Sequence, residues 1–481
     1  MELCKFPVLI FTCFLGLPVI VTAQCPGGLA SYCSCRDRYV DCSHRNLSSV
    51  PAFPPDPTFS TSYDYFDISF NQIRSIPSQT FKGTHFKEIY LQGNLLQNIS
   101  SLAFEDVQNT LLVLDLSYNK FTKLPKSLEE LAVLQTLDVT HNPMIRGTDY
   151  TESVMHALGD SLTDLRIGNE YLTSWPTSLH HLPILNKLAV DGLSRFVRDI
   201  SAESFHGFET TLQYLNIKNT HLLAVPLGIS KLKHLKELHF DQNRYVTDRG
   251  ILIQSFPLKS PYLETLSLNG DSLTQFPRVL IYLPALKNFS IDDNNLRYLS
   301  DLNVGDLRTV TNLTLRNCSL LRVPAALSEI RYLKDLDLSL NDIETIDEND
   351  LQDLRYLEHF IVQNSSLKYI SEKAFGRVPR LKTLDFRYTQ LTTVPKAINS
   401  VWPCIEHVLL NENRLDCMCE TLVWLREKRD TCQRSAFPIR IQGVCDTILD
   451  TVEHYIEEYI PRCPEYKELH NIPPYNHTTH P

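Results

Sequence analysis

Apolar residues recur along this chain in an eleven-position pattern, plainest at 111–121, LLVLDLSYNKF. Leu111, Leu114, Leu116 and Phe121 are its apolar positions, with Asn119 between the last two. Leu114 and Leu116 alternate with Asp115 and Ser117, the period-two signal of a short, half-buried strand. Asn119 falls in the turn that follows. Its side chain can bond backbone groups that a buried turn would otherwise leave unpaired. Asp115, by the same alternation, is expected to face solvent, where substitutions change stability little. The pattern restarts at residues 63, 86, 111, 134, 162, 185, 212, 235, 263, 286, 310, 333, 357, 381 and 405, which makes 15 units spaced 23 to 28 residues apart. Strands stacked in parallel at ~4.8 Å spacing would give an arc on the order of 70 Å. The strand side of such a stack is narrower than the return side, which predicts strands on a concave face.

Short and longer units alternate over most of the array. The short ones carry an apolar-Pro step, at Ile76-Pro77, Leu124-Pro125, Trp175-Pro176, Val225-Pro226, Phe276-Pro277 and Val323-Pro324, which predicts an extended return segment. Several longer units place an aromatic there, such as Phe104 and Phe205. Asn is kept at the turn position in eight units: Asn71, Asn94, Asn119, Asn142, Asn243, Asn294, Asn341 and Asn413. In the central units Glu170 and Thr220 stand in that slot, and LAVDGLSRF (188–196) fits only with an extra residue or with Leu193 there. Long return segments cluster nearby, at 143–161, 194–211 and 244–262. Repeat drift and reshaping around a ligand both account for this.

The pattern L-x-x-L-x-L-x-x-N-x-L resembles that of the leucine-rich-repeat family. The resemblance extends to both ends. Residues 25–51 carry Cys25-Pro26, Cys33-x-Cys35, Val40-x-Cys42, Leu47 and Val50-Pro51, as in the cysteine-rich N-terminal cap of extracellular members. By the family's usual pairing, Cys25 bonds Cys35 and Cys33 bonds Cys42. Near the other end, Asn413 leads into Cys417-x-Cys419 and then Trp424-Leu425 on a predicted helix, similar to the C-terminal cap, but with six cysteines where the family has four. Order and spacing pair Cys417 with Cys445 and Cys419 with Cys463, leaving Cys404 and Cys432 as an extra bridge; alternatively Cys432 is the third cap cysteine. Cys318 occupies the Asn slot of one unit, a position where the family also accepts a buried Cys. The fold implied is an α/β solenoid, a curved horseshoe with a parallel concave sheet and disulfide-bonded caps. The divisions expected are a signal peptide at 1–23, a cap at 24–60, the array at 61–403, the last repeat with its cap at 404–463, and a polar tail at 464–481.

Composition narrows the class. A formal net charge of −10 argues against a nucleic-acid partner. Residues 1–23 pair Lys5 with the run PVLIFTCFLGLPVIV and close on Val21-Thr22-Ala23, which reads as a cleaved secretory signal. No later stretch has the length of apolar sequence a membrane helix needs. Of 13 cysteines, Cys4 and Cys13 leave with the signal, and setting aside Cys318 leaves ten, clustered at the ends, as disulfides in an oxidising compartment would be. No catalytic motif, phosphate-cradling loop or metal-ligand spacing is present, so neither an enzyme nor a cofactor is expected.

What remains is display of side chains. Outward strand positions carry Tyr65, Tyr90, Arg166, Tyr214 and His239, with Tyr118 ending the third strand. Tyr and Arg are enriched among binding hot spots, although Tyr is also favoured in strands for its own sake. N-x-S/T sequons stand at Asn46, Asn98, Asn288, Asn312, Asn317, Asn364 and Asn476, with Asn317 beside Cys318. Asn288 and Asn312 hold the same outward position in consecutive units, where glycans would obstruct the face. The resemblance implies a secreted protein that binds an extracellular protein or glycan, as do Slit, chaoptin, small matrix proteoglycans and immune recognition receptors. The alternatives are a matrix component acting by self-association and a non-catalytic partner subunit of a secreted enzyme. The partner surface is expected on units one to nine, residues 63–270.

Overall fold

The computed structural model describes residues 25–470 except 26, 55–62, 298, 300–306, 402–403 and 434–438. The expected signal peptide, the sequon at Asn476 and most of the tail lie outside them. Among the described residues the chain divides into two compact units, 25–120 with 125–134, and 121–124 with 135–470.

In the first unit, Ser34–Arg36 pairs antiparallel with Tyr39–Asp41, which begins a parallel ladder through Tyr65–Asp67, Glu88–Tyr90 and Val113–Asp115. Each ladder strand has three residues, with the middle one buried and the outer two half-exposed: Val40, Phe66, Ile89 and Leu114 point inward. Burying the middle residue fixes register, since a slip of one would turn every strand inside out. Phenylalanines fill the core behind them, with Phe66 against Phe86 at 5.2 Å and Phe81 against Phe104 at 5.6 Å. Cys25–Cys35 and Cys33–Cys42 are bonded beside the first hairpin.

The second unit continues the same architecture with twelve repeat strands, from Thr136–Asp138 to His407–Leu409, every neighbouring pair parallel. A thirteenth, Arg440–Gln442, adds to the last. The helix Cys419–Gln433 lays Leu422, Leu425 and Cys432 inward, and Cys404–Cys432, Cys417–Cys445 and Cys419–Cys463 are bonded around it. Lys428 is buried on that helix, and its Nζ donates to the carbonyl of Val401 at 2.8 Å. Burial lowers its pKa.

The turn after the strand explains the asparagine. Asn119 Nδ2 donates to the carbonyls of Leu91, Leu116 and Ser117 at 2.9–3.1 Å, while its Oδ1 accepts from Leu96 N at 3.0 Å. One buried amide thus satisfies backbone groups of two repeats. The residue before the slot takes a left-handed conformation in all fifteen units, from Phe70, Gly93 and Tyr118 to Tyr388 and Glu412.

Three expectations change. The proline steps do not lead into extended return segments. Pro125, Pro176, Pro226, Pro277 and Pro324, and Pro395 of a later Val394-Pro395 step, are themselves extended, but each immediately precedes a five-residue 3-10 turn, as at Lys126–Glu130, while Pro77 leads into hydrogen-bonded turns at 78–83. Their fixed φ suits the entry to a turn and their missing N–H is not needed there. Glu170 does not occupy the fifth slot. Asn169 does, buried, with Nδ2 donating to Met144 O at 2.8 Å, while Glu170 is exposed. Gly168 adopts φ +108° and lets the chain turn one residue early. Asp115 is half-buried, and its Oδ1 accepts from Ser117 N at 2.8 Å. Asp67 and Asp138 do the same for Ser69 and Thr140, so these aspartates are turn caps and not free surface charges.

Candidate functional site

Each outward strand position forms a row across the ladder, so residues far apart in sequence become neighbours. In the first unit one row runs Tyr39, Tyr65, Glu88, Val113 and the other Asp41, Asp67, Tyr90, Asp115. Tyr65 stacks on Tyr39 with ring centroids 5.9 Å apart. The Tyr39 hydroxyl donates to Asp67 at 3.1 Å, and that of Tyr90 donates to Glu88. Partial burial, reinforced by these carboxylates, raises both phenol pKa values, so the hydroxyls stay protonated as donors. Tyr39 is a member of this cluster that the repeat pattern did not single out, because it precedes the first full unit. Tyr118 is not on the strand face. It sits in the left-handed turn three residues past Val113–Asp115, 55 % exposed. Phe70 holds the equivalent place two units earlier, stacked on His44 at 4.6 Å.

In the second unit the third-position row runs Asp138, Arg166, Ala189, Asn216, His239, Ser267. Arg166 stands 3.9 Å from Asp138 and 3.7 Å from Asp164, exposed and held loosely between the two carboxylates. Tyr214 and His239 form a ring pair at 5.1 Å, with Glu237 and Asp241 within 3.9 Å of the imidazole. The strand carrying Ala189 separates Arg166 from that pair.

The strands of this region are the longest in the molecule among the described residues: Lys187–Leu193 and Tyr214–Thr220 have seven residues each. Leu193 and Thr220 fill the slots where Asn would close the turn, and the ladder runs on to pair them with each other. The extension brings Asp191 within 2.7 Å of Asn219 Nδ2, 3.1 Å of Lys218 Nζ and 3.1 Å of His141 Nε2. Burial opposes ionisation of Asp191, but Asn219 and Lys218 together hold its pKa below the ordinary value. Nothing in the repeat pattern pointed to this hub, which exists only because two strands overrun their usual length.

Asn288 and Asn312 are direct register partners on the same face. Asn288 is exposed, with Nδ2 3.1 Å from Thr265 Oγ1; Asn312 is half-buried and donates to Asp335 at 2.7 Å. Both line a shallow depression of about 310 Å³, together with His239, Asp241, Asn269 and Phe289 among others. Asn46, Asn98, Asn317 and Asn364 are exposed, while Cys318 is fully buried. Among the described residues, the one grouping with ligand atoms close enough for a metal is Cys419, Cys463 and Glu465, and its two sulfurs are bonded to each other. No helix among the described residues is long and apolar enough to cross a membrane.

Comparison with known proteins agrees with this architecture. A leucine-rich-repeat family model matches residues 84–144, and a model of the BspA type leucine-rich-repeat region matches residues 282–401. Lumican of Gallus gallus is 27% identical over 306 residues, covering 57% of this chain and 83% of lumican. Chaoptin of Drosophila melanogaster is 28% identical over 218 residues, 42% of this chain but 16% of chaoptin. Human oligodendrocyte-myelin glycoprotein is 24% identical over 316 residues, 66% of this chain and 49% of that protein. Among solved structures, the mouse RP105/MD-1 complex aligns with a TM-score of 0.55 at 17% identity over 85% of this chain and 80% of that one. The TLR13–ssRNA13 complex aligns at 0.50 with 18% identity, over 78% and 66%. At such identities the structural likeness speaks to the fold alone. The repeated strand register, the asparagine-bonded turns, the paired cysteines at both ends and these matches make the chain a leucine-rich-repeat protein with cysteine-rich caps.

Proposed function

We propose that the chain is a secreted, non-catalytic binding protein that recognises an extracellular protein or glycan through the outer faces of its strands. Its relatives by sequence are extracellular leucine-rich-repeat proteins, which supports extracellular binding as the general role. The observation that carries the finer reading is the tyrosine cluster of the first unit. Tyr39, Tyr65 and Tyr90 are half-buried, and the stacking and carboxylate hydrogen bonds hold their rings in place before any partner arrives. Aromatic anchors already fixed lose little entropy on binding and expose broad faces. In the second unit, Arg166 and the Tyr214–His239 pair are the corresponding positions, and the sequons at Asn288 and Asn312 favour the strands before them over those carrying sugar.

The test begins with affinity capture using the mature glycosylated protein from its tissue, followed by mass spectrometry and equilibrium binding with the recovered partner. Tyr90→Ala and Arg166→Ala are expected to weaken binding by about thirty-fold, the effect of losing a hot-spot anchor. His407→Ala, on an outward position of the last repeat strand, is the control. Arg387 would serve less well, because its guanidinium is committed to Asp385 at 2.7 Å. Loss of binding in His407→Ala alone would overturn the assignment.

A further inference from the structure

A second surface, separate from the strand faces, stands out in the turns of the second unit. In a regular repeat one residue separates the slot from the next buried apolar residue, as in Asn294-Asn295-Leu296 and Asn341-Asp342-Ile343. Three units break this rule. Asn169 is followed by Glu170 and Tyr171 before Leu172, Leu193 by Ser194, Arg195 and Phe196 before Val197, and Asn243 by Arg244 and Tyr245 before Val246. In each, the residue just before the buried position is an exposed aromatic. The intervening and preceding units put Ile145 and Leu223 on the same turns, immediately after the buried Met144 and Leu222. Five consecutive repeats therefore carry a large apolar side chain there, between 52% and 67% exposed.

These turns are built structures. Asn169 Oδ1 accepts from Tyr171 N at 2.8 Å, Val197 N donates to Ser194 O at 3.0 Å, and Val246 N donates to Asn243 O at 2.8 Å. Thr173 N donates to Ile145 O at 2.7 Å, joining consecutive turns. Tyr245 stacks on His221 at 5.2 Å, and the Arg195 guanidinium lies 5.5 Å from the Phe196 ring centre. Together the five side chains present on the order of 500 Å² of apolar surface, near the upper end of what a soluble monomer leaves in one patch.

We propose that this stripe is the interface between two copies of the chain, paired antiparallel about a two-fold axis at Phe196. Three features fit a second copy. Inversion about Phe196 sets the aliphatic Ile145 and Leu223 opposite the rings of Tyr245 and Tyr171, so a two-fold contact packs each aliphatic side chain on an aromatic one. Both signs of charge flank it at each end, Arg146 with Asp149 and Arg244 with Asp248, and both carboxylates are already hydrogen-bonded within the chain, so each end presents mixed charge to the other copy despite a chain charge of −10. No sequon falls between residues 99 and 287, so no N-glycan stands in the way. The apolar area is a fitting centre for a standard interface of ~800 Å² per partner.

Sedimentation velocity on the mature glycosylated chain, from about 1 to 100 µM, spans the range in which an interface of this size associates. A reversible dimer is expected. Tyr171→Ala, Phe196→Ala and Tyr245→Ala combined should raise its dissociation constant at least about thirty-fold, with the thermal midpoint unchanged when both proteins are melted at a dilution where they are monomeric. Alanine is used because serine at 171 or 245 would create a sequon. Phe196→Cys should form an intermolecular disulfide under mild oxidation, and Tyr388→Cys, in another exposed turn, should not. A wild-type monomer throughout this range, or a dimer undiminished in the triple variant, would overturn the proposal.

Discussion

At the scale of single residues, the turn after each strand holds most of the physics. Asn119 meets four backbone groups with one side chain, all inside the core. Asn119→Leu is expected to cost about 2 kcal/mol, because Leu96 N loses its acceptor and Leu116 O a donor inside the core, while Leu91 O keeps Asn94 Nδ2 and Ser117 O keeps Gly93 N. Asp115→Ala is expected to cost about 1 kcal/mol, the usual loss when a capping carboxylate is removed. Denaturant melts would rank the two, and equal losses would mean that the amide is not the main tie. The pattern of alternation identified Asn119 as structural but took Asp115 for a bystander, since alternation reports which face a side chain is on and not whether it bends back to its own backbone. A ladder slot also yields a pH prediction. Asp271 occupies the ninth slot, buried, with Oδ1 accepting from Asn243 N at 2.8 Å and no hydrogen-bond partner for Oδ2. Burial pushes its pKa up to about 8. A carboxyl whose folded pKa lies above its unfolded value favours the fold most when protonated, so stability falls as pH rises from about 4 toward 8, by up to about 1.4 kcal/mol per pH unit. Asp271→Asn should raise the unfolding midpoint at pH 7.5 and flatten the profile across that window; an unchanged profile would show that Asp271 is solvated.

At the scale of elements, the eleven-position pattern located the strands, because a buried middle residue recurring every 23 to 28 positions leaves little freedom in register. It did not foresee the seven-residue strands. Those depend on Leu193 and Thr220 giving up the asparagine turn and on glycine at the crossing points. Gly192 has φ +90°, and a Cβ there would lie 2.8 Å from the carbonyl carbon of Asn169. Gly192→Ala is therefore expected to cost at least about 2 kcal/mol, combining a left-handed backbone with a clash against main chain that cannot step aside. A melt within about 0.5 kcal/mol of wild type, the range of a neutral surface change, would mean that the neighbouring strand yields. The 3-10 turns after the prolines were equally hidden, since a fixed φ near −65° serves an extended segment and a turn entry alike.

At the scale of the molecule, cysteine placement was the most legible feature, because clusters at the two ends of a repeat array have few partners within reach. Cys318 is the exception, buried, with its thiol pKa pushed up to about 12 by desolvation. In the native protein no cysteine should react with an alkylating agent, and after unfolding without reduction only one among residues 25–470 should. Early labelling of cap cysteines would mean that the ends are open. The binding surface was the least legible. Outward positions announce themselves by alternation, yet nothing in one sequence separates a tyrosine that greets a partner from one that merely suits a strand. The stacking of Tyr39 on Tyr65 and the carboxylates beneath them separate the two only once the strands are in register. The most direct measurement of that surface is hydroxyl-radical footprinting of the mature protein with and without its captured partner. Binding through the strand faces predicts that oxidation of Tyr65, Tyr90 and Tyr214 falls sharply in the complex while Tyr388, in a turn of a late repeat, is unchanged. Protection of Tyr388 with Tyr65, Tyr90 and Tyr214 oxidised as before would contradict it.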